Sequence, residues 1–400
     1  MKKLHFLEVE GNTKGFYTFL GIFGLVSLVG LLSAYYMEHH GHYVTGMSNQ
    51  VVWGTPHVFA IFLIVAASGA LNVASISSVF AKTAYKPLAR LSGMLAMALL
   101  AGGLVVLLLD LGRPDRLIVA MTEFNFVSIF TWNIFLYTGF MGIVGIYLWT
   151  MMDRPYNSLT KKAGMAAFIW RLILTTGTGS IFGFLVAREA YDSALLAPMF
   201  IVMSFSFGLA FFMLVLMGSY KTTERELGDY IVNRLKNLLG VFVAAVLYFV
   251  IVYHTTNLYS ADHRDVTLFI LSNGGIYTFL FWVVQIVLGS LLPLVLLYGP
   301  TGKNRTMIGL ASALIIIGGL AQLYVIIVGG QAYPMHLFPG MEVSSSFYDG
   351  VVASYSPSLP EFLLGFGGVG ITLLLVTVAV AALKFLPASL ADEVANPHSK

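Results

Sequence analysis

The sequence predicts an all-α integral membrane protein of ten transmembrane helices. Three observations predict it. Ten apolar runs each approach the roughly 20 residues that a helix needs to cross a bilayer. The 400-residue chain is 58% hydrophobic and 10% charged, a membrane composition and not that of a large soluble core. Its Lys and Arg fall unevenly between the runs, as in a multi-pass topology.

The first run, 16–37, is too long for the core of a cleaved signal, and Glu8 and Glu10 precede it, so it reads as a retained span. The runs at 55–80, 91–111, 127–152 and 164–187 follow it. The second run opens with WGTPHVF at 53–59, where Pro56 suits a helix start and His57 sits at membrane depth near the outer end. That imidazole is either packed against a carbonyl or a proton-active group. The third run ends at Asp110, before a tight turn set by Gly112 and Pro114. This is either a capped helix end with local ion pairs or a corner for docking and proton entry. Trp132 and Asn133 open the fourth run, the first as an interfacial residue and the second as a cross-helix hydrogen-bonder.

The fifth run interleaves Thr175, Thr176, Thr178 and Ser180 with Gly177 and Gly179. Its hydroxyls either bond their own helix or line a polar cleft. Arg171, near the inner end, is expected to snorkel to the interface. The runs at 195–220, 238–258, 275–298 and 306–329 come next, with His254 near the outer end of the seventh run. The segment 330–360 is rich in aromatics, Gly and Pro and lacks Lys and Arg; it reads as an extracytoplasmic loop, a lid or a docking surface. The last helix is 361–386, and 1–400 is a single membrane domain.

With the N-terminus inside, 17 of the 22 Lys and Arg face the cytoplasm. Arg113, Arg116, Arg188 and Arg264 lie outside, and Arg171 lies within a span. Both termini are therefore expected in the cytoplasm, with the protein in the cytoplasmic membrane. Eleven of the 19 acids and seven of the nine histidines fall at the outer ends, so the small net charge of +3 hides a proton-active outer rim. The basic inner face is an insertion signal and does not point to nucleic acid. Absence of cysteine excludes disulfides, thiolate catalysis and Cys-ligated iron–sulfur clusters within this chain. No Gly-rich phosphate loop, HExxH pair or nucleophile elbow is present, and no metal site is expected.

Four segments in order on this frame resemble the NrfD family, the membrane subunits of polysulfide reductase and related complexes: WGTPHVF at 53–59, DLGRPDR at 110–116, SIFTWNIFLY at 128–137 and FGFLVAREAYDSALLAPMF at 182–200. The ten spans and the segment 338–368 look most like its DsrP-type branch, from the sulfite-reduction-associated DsrMKJOP complex. The resemblance implies a haem-free subunit built from two four-helix bundles, 55–187 and 195–329, with the helices 16–37 and 361–386 flanking them, that binds menaquinone or another quinone. It implies a ferredoxin-like iron–sulfur subunit on the extracytoplasmic face, with cytochrome c and further membrane subunits in the complex. His57 matches the family's quinone-contacting histidine; the family's asparagine one turn earlier is Gly54 here, and its later tyrosine falls near Thr178 to Ser180. The expected headgroup site is thus Trp53, His57, Thr178 and Ser180, with Asp110, Glu189 and His254 relaying protons. Arg113, Asp115, Arg116 and Arg188 are expected to dock the partner. Two alternatives stand beside it: a secondary transporter with a midplane site, and a cytochrome in which His57 and His254 ligate b haem.

Overall fold

The computed structural model describes residues 5–9, 13–335 and 350–395. The middle of the expected 330–360 loop lies outside these residues. Among them, ten helices are long and apolar enough to cross a membrane, and the molecule is an all-α multi-pass membrane protein. The first five are α1 (Lys14–His40), α2 (Thr55–Ser78), α3 (Thr83–Leu109), α4 (Ile129–Met152) and α5 (Arg154–Gly183). The others are α6 (Leu196–Thr222), α7 (Asp229–Tyr259), α8 (Ile276–Tyr298), α9 (Arg305–Ala332) and α10 (Leu359–Ala382). The only strands among the described residues are β1 (Phe6–Leu7) and β2 (Leu386–Pro387), which pair antiparallel. They tie the two ends of the chain together at the end of the molecule that carries most of the lysines, here called the basic rim. The opposite end, with Glu38, Asp110 and Glu361, is the acidic rim.

α2 is the centre of the molecule. It packs against α3, α5, α6, α9 and α10, and nearly all of it is buried. Two glycines permit its closest approach to α6: a Cβ on Gly69 would strike the Ser204 carbonyl, and one on Gly208 the backbone of Ala70. Small residues serve this purpose in membranes, where lipid tails are as apolar as leucine and contact quality decides packing. α1 is peripheral and leans mainly on α10.

α2 is interrupted at Leu71. The Ser92 hydroxyl of α3 repairs the break, donating to Ala70 O (2.6 Å) and accepting from Ala74 N (3.0 Å). The interruption also presents Asn72 to Arg171, whose Nη2 donates to Asn72 Oδ1 at 3.0 Å. Arg171 therefore does not snorkel: it is 1% exposed, between the rings of Phe168 and Phe205. A polar partner at depth and two aromatic faces outweigh the pull of the interface. The loop expected from 330 also starts later, because α9 continues through π-helical turns at Val325–Gly329 to Ala332.

Candidate functional site

A cavity of about 620 Å³ lies at the acidic rim, among α2, α3, α4, α5 and the short helix Leu117–Thr122. Its size falls within the roughly 300–1,000 Å³ of small-molecule sites. Trp53, His57, Asn133 and Tyr137 supply its polar and aromatic groups. Ile61, Leu104, Leu108 and Ile134 form an apolar wall, and Arg113 and Arg116 stand at the edge with exposed Leu111, Met121 and Phe130.

His57 stacks on Trp53, with ring centroids 5.3 Å apart and planes 10° from parallel. The indole is fixed in turn by Phe182, edge-on at 5.7 Å, and by Tyr191. The far half of the molecule holds the backbone there: Gln331 Oε1 accepts from the N–H groups of Val52 and Trp53, both at 3.0 Å, and Gln331 Nε2 donates to Trp53 O at 3.0 Å. The Tyr191 hydroxyl donates to Ile327 O at 2.7 Å. The imidazole is thus oriented by α9 as well as by its own helix.

Asn133 and Tyr137 lie one turn apart on α4 and so share a face. Asn133 Nδ2 donates to Gly177 O at 3.1 Å, the cross-helix bond expected of it. The Tyr137 hydroxyl lies 3.5 Å from Thr178 Oγ1. Thr178 and Ser180, expected at the headgroup, do not line the cavity. Thr178 is fully buried behind Asn133 and Tyr137, its hydroxyl directed to Leu174 O at 3.0 Å. The tyrosine that lines the cavity, Tyr137, is on α4.

Asp110 caps α3 and, unlike Leu107, Leu108 and Leu111, does not line the cavity. Its Oδ1 is sealed from solvent without a hydrogen-bond partner. Burial, and then the nearby Glu361 carboxylate, push its carboxyl up to about 8. Glu361 is itself completely buried and well bonded. It accepts from Gly46 N, Ser358 N and the Tyr355 hydroxyl, all at 2.7 Å. Tyr355 also accepts from Thr55 N at 2.7 Å, which ties the last span to the turn before His57. Sequence reasoning missed this Tyr355–Glu361 unit, because its partners lie about 300 residues away along the sequence.

The remaining expected residues are dispersed. Arg113 holds Asp115 through two bonds of 3.0 and 2.9 Å on the exposed surface. Arg116 joins Arg113 beside the cavity. Arg188 donates to the carbonyls of Gln331 (2.9 Å) and Gln50 (2.8 Å), bracing the loops over Trp53. The Glu189 carbonyl meets His263 Nδ1 at 2.7 Å, outside the cavity. His254 lines a separate cavity of about 40 Å³ with Gln285 and Gln322. His57 and His254 therefore do not form a facing imidazole pair. No cluster of metal-ligating side chains occurs among the described residues.

Residues 43–335 match the family model described as polysulphide reductase, NrfD. The sequence is 29% identical over 395 residues to an Hdr-like menaquinol oxidoreductase integral membrane subunit of Archaeoglobus fulgidus, covering 98% of this protein and 99% of that one. It is 24% identical over 399 residues to a selenate reductase subunit of Mesobacillus selenatarsenatis, covering 90% and 92%. It is 26% identical over 310 residues to one of the chains of polysulfide reductase from Wolinella succinogenes, covering 71% of this protein and 96% of that one.

Proposed function

The chain belongs to the polysulphide reductase NrfD family, and from that premise we propose that it is a quinone-reactive membrane subunit of an electron-transfer complex. The carrying observation is the cavity that joins Trp53, His57, Asn133 and Tyr137 to a long apolar wall. A quinol becomes a quinone by losing two electrons and two protons, and the reverse reaction takes them up. The headgroup oxygens need hydrogen-bonding and proton-accepting partners within about 2.6–3.2 Å. His57 is the proton-accepting group in this reading, oriented by its stack on Trp53. Tyr137 bonds the other oxygen and Asn133 holds the ring in place. The tail runs along Ile61, Leu104 and Ile134. Asp110, whose carboxyl binds a proton near neutral pH, exchanges protons with the acidic rim.

The electrons pass to or from a redox carrier in a partner subunit. A Cys-ligated cluster would have to sit there, since this chain has no cysteine. We place an iron–sulfur partner against the exposed Arg113–Asp115–Arg116 turn, beside the cavity. The positive-inside pattern supports an extracytoplasmic position for this rim, with both termini in the cytoplasm. The relative named as a menaquinol oxidoreductase subunit supports menaquinol as substrate, and the ten-span frame supports a DsrP-type complex. The test is titration of the purified complex with a fluorescent quinol-analogue inhibitor. One saturable site is expected, abolished in Leu104→Trp, which fills the wall; undiminished binding in that variant would remove the headgroup from this cavity.

A further inference from the structure

A second groove, of about 280 Å³, lies at the opposite rim between α1, α6 and α10. Phe16, Phe19 and Phe23 line it from α1 at helical spacing, and Phe211 and Val215 face them from α6. Its floor is Gly218, where an added Cβ would meet nothing within 4 Å. The groove has a structural origin. α1 is pressed onto α10 at Gly30 and Gly367, and the segment before α1 is fastened by Val9 N donating to Val380 O at 2.9 Å. Between those points rings project from α1, while α6 offers a glycine.

We infer that this groove seats one anionic phospholipid, with an acyl tail along the phenylalanines and the phosphate at the basic rim. The lining runs from Thr13 to Phe23, about 15 Å of helix at 1.5 Å per residue. That is half of the roughly 30 Å hydrocarbon core, the depth of one leaflet. The mouth is polar: Thr13, Thr222 and Thr223 line it. Exposed Lys14 and Lys221 adjoin Thr13 and Thr222 in sequence. Arg225 stands nearby, its guanidinium holding the Leu7 and Glu8 carbonyls. The nearby Glu8 carboxylate is occupied, 3.8 Å from Lys384 Nζ. A zwitterionic headgroup gains less from two lysines than an anionic one does.

Native mass spectrometry of the purified complex, exchanged into equal amounts of phosphatidylglycerol and phosphatidylcholine, tests this. One phosphatidylglycerol should be retained over phosphatidylcholine by about 30-fold, a preference of the size that two lysines near a phosphate provide. Gly218→Phe should lose the retained lipid while quinol-analogue binding at the other rim stays normal, which verifies its folding. The double variant Lys14→Gln, Lys221→Gln should keep a lipid and lose the preference for phosphatidylglycerol. Equal retention of the two lipids by the native complex overturns the inference. So does full retention in folded Gly218→Phe, or recovery of a quinone in place of a phospholipid.

Discussion

Each half of the molecule places a histidine near the acidic rim, and only one of the two has room beside it. His57 borders about 620 Å³, His254 about 40 Å³. Around His57 the connection between α3 and α4 arches outward, so that Leu117, Ala120 and Met121 wall the space without filling it. Around His254 the connection folds back. Val266, Thr267 and Ile270 close on the imidazole, and Phe281 stands edge-on at 4.8 Å. His254 Nδ1 and Gln322 Nε2 end there sealed and without hydrogen-bond partners. A histidine at membrane depth is thus not a ligand site by itself; the connection beside it decides.

The largest expected effect separates the two histidines directly. His57→Ala should lower quinol-linked kcat/KM at least about 100-fold, the usual contribution of a general acid or base, with the complex still assembled on gel filtration. His254→Ala should leave turnover within about twofold, since its cavity lies below the size of a ring-binding site. Equal losses in both variants would break the distinction drawn here. Next in size is Tyr137→Phe, for which a loss of about fivefold is expected, one charge-independent hydrogen bond being worth around 1 kcal/mol. Because Thr178 stands behind it, Thr178→Val should cost less than Tyr137→Phe in the same assay.

A third test concerns the acid beside the first cavity. The folded-state affinity of Asp110 for its proton is raised from 3.8 to about 8. Its contribution to stability is therefore complete below pH 3.8 and is lost as pH rises through about 8. Melting temperature should fall over that window in the native protein and less steeply in Asp110→Asn. The smallest effect belongs to the second cavity. His254→Phe removes a buried nitrogen without a partner and should leave the melting temperature unchanged or raise it slightly, by about 1 kcal/mol of stability; clear destabilisation would show that the imidazole is needed there.

Much of the fold was legible in the sequence, because a bilayer imposes a one-dimensional rule. A span must be apolar for its whole length, and all ten runs became helices. The site was only half legible. His57 and Trp53 share a short motif, but Trp53 precedes the N-cap Gly54, so helical spacing alone did not set their stack. Asn133 and Tyr137 carry an i, i+4 spacing signal, two polar residues a turn apart in an apolar helix, yet the family resemblance points to the following span for the tyrosine. Arg171 misled because snorkelling is a rule for isolated helices, and Asn72 became available only where α2 breaks.

The sequence by itself determined the class, the number of spans and the division into a basic rim and an acidic one, since these depend on residue type along the chain. Tertiary structure alone decided which histidine gained a cavity. It also decided that Gln331 would fasten Trp53 across 278 positions and that Glu361 would come near Asp110. Those outcomes depend on how helices splay and which faces meet, and neither is written in the hydropathy of any single span.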